Sequence, residues 1–66
     1  MTTTEQVVSI AVELPYDQAW AFAQFLKRTG HSDYRRFAEN NDEAYAMQYA
    51  AERLRDALTA AGVAPR

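Results

Sequence analysis

The sequence predicts an α+β fold that is mostly helical, with one N-terminal β-strand followed by three helices in the order β-α-α-α. Three observations carry this reading. The stretch QVVSIAVEL alternates, with Val8, Ile10, Val12 and Leu14 on one side and Val7, Ser9, Ala11 and Glu13 on the other. Period two with β-branched residues is the pattern of a half-buried strand. Pro15 and Gly30 bracket a strongly apolar stretch of helical period. Further on, Met47, Ala51, Leu54, Leu58 and Ala61 recur at steps of four and three, which makes one helical seam.

Taken in order, residues 1–5 form a polar arm and residues 6–14 the strand. Pro15 ends the strand because it has no N–H for a ladder, and it suits a first helical turn. Residues 16–29 form the first helix, with Ala19, Phe22, Ala23 and Leu26 on one face and Trp20, Ala21 and Phe25 on a second apolar flank. Lys27 and Arg28 sit in the last turn, where positive charge is favoured. Gly30 is the expected left-handed stop. Ser32 is the expected N-cap of a short helix over 33–39, with Asp33 in its first turn. Asn40 followed by Glu43 is close to a capping box, and it opens a long helix over 42–61 that Gly62 closes. The seam of this helix is widened by Ala44, Ala50 and Ala57, and VAPR is read as a tail.

All of this fits a single domain over residues 1–66, and a domain this small has little margin of stability. The hydrophobic fraction of 48% is too high for a disordered chain. There is no cysteine and one histidine, so disulfides and thiolate metal sites are removed and a structural zinc lacks ligands. No metal and no cofactor are expected. Oligomerisation is the remaining route to stability, and a lone strand invites the same strand of a second copy. The expectation is therefore a homodimer joined through Val8, Ile10, Val12, Leu14, Trp20 and Phe25. No apolar run approaches the ~18 residues of a membrane span. MTTTEQ lacks the basic and apolar regions of a signal peptide, so a cytoplasmic protein is expected.

For chemistry, His31 stands alone in a polar turn and reads as an exposed loop residue, with Ser32 serving as a cap. The acids Asp42, Glu43, Glu52 and Asp56 read as a solvated helix face. With no phosphate loop and no metal-protease motif, an enzyme is not expected. The positive charge is concentrated in KRTGHSDYRRF, where Lys27, Arg28, His31, Arg35 and Arg36 are interleaved with Tyr34 and Phe37. That is a candidate phosphate or nucleic-acid site. The favoured alternative pairs Arg35 and Arg36 with Asp33, Glu39 or nearby acids and places Phe37 in the core.

The segment SIAVELP and, further along, KRTGHS bring together a strand ending in Leu-Pro, a basic helix end, a glycine and a serine. Over about residues 7–39 this resembles the ribbon-helix-helix family of DNA-binding repressors. The resemblance implies a two-chain ribbon in the major groove, with Val7, Ser9, Ala11 and Glu13 toward the bases. It also implies a phosphate at the second helix's N-terminus. Base reading wants Arg, Lys, Asn or Gln, whereas Glu13 and Asp33 bring negative charge to both places. A dimeric DNA-binding regulator is thus the second reading, and nucleic acid the less favoured partner.

The first reading is a small non-enzymatic interaction module, a regulator or inhibitor that binds another protein. In size and acidic character it is similar to proteins of phages and mobile elements, anti-CRISPR inhibitors included. Tyr45 and Tyr49 lie one turn apart on the long helix, with Arg53 and Asp56 following on that flank. Tyrosine and arginine are enriched at interface hot spots, so these four residues are the candidate protein-binding set; the alternative is that the tyrosines flank the core seam, bury their rings and keep their hydroxyls in water.

Overall fold

The computed structural model describes residues 6–66. Three helices follow one another: α1 (Tyr16–Arg28), α2 (His31–Phe37) and α3 (Asn41–Ala60). The polar arm expected at residues 1–5 lies outside the described residues.

The expected β-α-α-α architecture is corrected. Among the described residues there is no β-strand, and residues 6–15 have no regular secondary structure. The alternation of QVVSIAVEL is present in the sequence, but a strand is defined by the ladder it shares with a neighbour. No other segment among the described residues offers that ladder. Both sides of the alternation face solvent, with Val8 85% exposed. The regular secondary structure of the described residues is all helical.

α1 begins where Pro15 stands as N-cap, its carbonyl accepting the Ala19 N–H at 2.9 Å. It ends one residue earlier than expected. The Thr29 N–H and hydroxyl both donate to the Phe25 carbonyl, and Thr29 turns the backbone to φ −86°, ψ 125°. Gly30 is therefore not a left-handed stop; its φ is −111° and its ψ 178°. It is instead the N-cap of α2. The Asp33 carboxylate accepts the Gly30 N–H at 2.9 Å, which is the acidic half of a capping box, and glycine has no side chain to supply the other half. That reach-back starts α2 two residues earlier than predicted and places Ser32, the expected cap, inside the first turn.

α3 opens as the sequence implies. The Asn40 Oδ1 accepts the Glu43 N–H at 2.8 Å, while the Glu43 carboxylate accepts the Glu39 N–H at 2.8 Å. Its other end is a Schellman turn. The Val63 N–H donates to the Leu58 carbonyl at 2.8 Å and the Gly62 N–H to Thr59 at 2.9 Å. Gly62 has φ +93°, which a residue with a Cβ adopts at a cost. The turn folds the chain back, so Val63 is not part of a free tail. It is buried in a cluster with Ala19 and Ala23, against which Leu58 and Trp20 pack.

α1 and α2 each pack on α3. The buried hydrophobic residues are Ala19, Ala23, Leu26, Ala44, Ala51 and Val63, so four of the six are alanines. The predicted seam of α3 is rotated. Ala44 and Ala51 face inward, Met47 and Leu58 are half-buried, and Leu54, Ala57 and Ala61 are exposed. Phe22, expected on the buried face of α1, is exposed as well. Trp20 is half-buried, and its buried Nε1–H has no acceptor among the described residues.

The two glycines separate backbone strain from space. Nothing lies within 4 Å of a Cβ built on Gly62, so Gly62→Ala is limited by its positive φ and should cost about 1–2 kcal/mol. Gly30→Ala meets only the Asp33 carboxylate at 4.0 Å and has an ordinary φ. It should stay within about 0.5 kcal/mol, because the lost N-cap preference and the reduced freedom of the unfolded chain oppose each other. Thermal melts followed by circular dichroism at matched concentration should therefore show a drop for Gly62→Ala and almost none for Gly30→Ala.

Candidate protein-binding face

The candidate face is assembled from the start of α2 and the first half of α3. His31, the first residue of α2, is half-buried rather than a free loop residue. Its ring stacks on Tyr45 with centroids 4.3 Å apart, and Tyr45 stacks in turn on Tyr49 at 6.2 Å. A polar ladder runs beside this column. The His31 Nδ1 lies 3.1 Å from the Gln48 Oε1, and the Gln48 Nε2 donates to the Glu52 carboxylate at 3.4 Å. With the amide in that orientation, the Nδ1 carries the proton it donates. The two tyrosine rings of α3 thus continue a stack that begins at a residue of another helix.

At 3.6 residues per turn, Asp42, Tyr45, Tyr49, Glu52, Arg53 and Asp56 share one side of α3. All six are exposed. Of the predicted protein-binding set, Tyr45 and Tyr49 form the centre of this ridge, and Arg53 and Asp56 continue it toward the C-terminus. Three carboxylates against one guanidinium make the ridge acidic. What sequence reasoning missed is His31. Its signal was available only as an aromatic ring in the turn before the predicted helix, with no hint of which helix it would meet.

The cationic stretch is spread over separate tasks. The Arg35 Nη1 donates to the Ala38 carbonyl at 3.1 Å, closing the end of α2. The Arg36 guanidinium lies 5.8 Å from the centre of the Phe37 ring. Phe37 is 78% exposed, which corrects its expected place in the core. Lys27 and Arg28 occupy the last turn of α1. Arg28 lines a small cleft of about 300 Å³ with Phe25, Tyr34, Phe37 and Asp33, so one cation and one anion share it. His31 is turned to α3. Among the described residues there is no strand, and at the start of α2 the Asp33 carboxylate accepts the Gly30 N–H.

On the other side of the molecule lies an apolar groove of about 770 Å³. Ile10, Val12 and Leu14 of the predicted dimer interface line it, together with Phe22 of α1 and Leu54 and Leu58 of α3. Val8, Trp20 and Phe25 are not among its walls. Among the described residues, no three metal-ligating side chains come together, and no helix is long and apolar enough to cross a membrane.

His31→Ala removes both the stack on Tyr45 and the bond to Gln48 and should lower unfolding stability by about 1–2 kcal/mol. His31→Phe keeps a ring on Tyr45 and should lose about half of that. Urea titrations followed by helical circular dichroism would separate the two, and equal losses would assign the stability to the hydrogen bond alone.

Comparison with curated proteins found no match, and comparison with solved structures found none. The whole chain, residues 1–66, matches one family, and the chain belongs to it: the family of unknown function DUF7706.

Proposed function

We propose that the chain is a non-enzymatic protein-binding module that presents the Tyr45–Tyr49 ridge of α3 to a basic surface of another protein. One observation carries this reading. The two exposed tyrosines are stacked and held in place by His31 of α2, so their rings are ordered before any partner arrives. An interface built on pre-ordered rings loses less conformational entropy on binding than one built on free side chains. Tyrosine supplies a broad apolar face and a hydroxyl on one short side chain. The acids Asp42, Glu52 and Asp56 around it favour lysine- or arginine-bearing partners and discriminate against acidic ones. Binding of this kind regulates or inhibits by occupying the partner's surface and requires no chemistry from this chain.

Tyr49 is the better probe, since it is 58% exposed and does not touch His31 in the stack. Wild type and Tyr49→Ala, immobilised at equal density, would be challenged with the same cell extract, and the captured protein then purified and titrated. A hot-spot tyrosine corresponds to a loss of about 2 kcal/mol, or about 30-fold in affinity. Affinity should also fall as salt rises. Equal retention by both chains, or affinity indifferent to salt, would clear the ridge of this role.

A further inference from the structure

We propose that the apolar groove between residues 10–14, α1 and the C-terminal half of α3 is closed by a second copy of this chain, and that the homodimer is the stable folded unit. The groove lies on a different side of α3 from the tyrosine ridge, so the proposal does not rest on the protein-binding reading.

The first argument is area. The chain exposes 5769 Å². A compact monomer of 7.5 kDa would expose about 4,200 Å² by the usual scaling. The excess is about 1,500 Å², and a standard interface buries about 800 Å² on each partner. The radius of gyration points the same way, at 13.7 Å where a compact chain of this length has about 11 Å. The chain is more open than a compact monomer of its size, by more than the area one ordinary interface removes from each partner.

The second argument is the chemistry of the groove. Its walls include Ile10, Val12, Leu14, Phe22, Leu54 and Leu58, and its one polar lining residue is the neutral Gln18. A two-fold interface buries the same patch on both partners, and a charge close to the axis would meet its own copy. This patch has none. Gln18 carries both a donor and an acceptor on one side chain and can be satisfied by polar groups of either kind on a second copy. The ridge on the other side of α3 is acidic and would repel its own copy.

The third argument is the poverty of the internal core. With four alanines among six buried residues, most of the large apolar side chains have not been used inside. Phe22 and Leu54 stand at the groove, and Leu54 is still 40% exposed. A second copy brings both a groove and the side chains to fill it.

Sedimentation of the full chain at about 5 to 100 µM should give twice the 7.5 kDa chain mass. The urea midpoint, read from the single Trp20, should rise with protein concentration. Phe22→Glu and Leu54→Glu should sediment as monomers or unfold at concentrations where wild type is folded. Phe37→Glu, outside the groove, and Tyr49→Ala, on the ridge, should remain dimers. A wild type that stays at monomer mass at about 100 µM with a concentration-independent midpoint overturns the proposal, whatever the variants do. Dimers of unchanged mass and affinity in both groove variants overturn the assignment to this face.

Discussion

α3 is the one helix that packs against both others, and its contact with α1 sets the character of the molecule. At that contact Ala19 and Ala23 of α1 meet Val63, which the Schellman turn at Gly62 folds back, with Trp20 and Leu58 packed against them. Alanine lets two helices approach closely but contributes little apolar area. A large share of the bulky hydrophobic residues is left outside the interior. Phe22, Phe25, Leu54 and the valines of residues 7–12 all stand exposed. A chain with an ordinary hydrophobic fraction thus shows a small core and a large apolar exterior, and the groove is the result.

α2 is attached by different physics. It has no buried residue of its own. It is held to α3 by the stack of His31 on Tyr45 and by the hydrogen bond from His31 to Gln48. The stretch KRTGHSDYRRF is therefore a joint before it is a surface. Thr29 ends one helix, Gly30 and Asp33 begin the next, His31 docks it, and Arg35 closes it. Because the docking residue is aromatic, it also orders the two tyrosines beyond it, and the same contact that attaches α2 shapes the ridge.

α3 consequently presents two unlike faces. One is apolar and free of charge, and its chemistry is compatible with itself. The other is aromatic and acidic, and its chemistry is complementary to something basic. A single helix can serve both because their residues lie on different sides of its circumference, so occupation of one need not obstruct the other.

Much of this was legible in the sequence. Pro15, Asn40 with Glu43, and Gly62 act through neighbours a few residues away, so their roles follow from local geometry, and the three helices fall close to their expected bounds. The pairing of Tyr45 with Tyr49 follows from helical spacing for the same reason. What the tertiary structure alone decided depends on long-range partners. Whether QVVSIAVEL becomes a strand rests on a ladder that its alternation cannot supply. Whether Leu54 or Ala44 faces inward rests on which side of α3 receives α1. Whether His31 is a loop residue or a dock rests on a contact 17 residues away. Local propensity determines where helices begin and end; burial is decided between elements, and the sequence encodes it only through the packing that results.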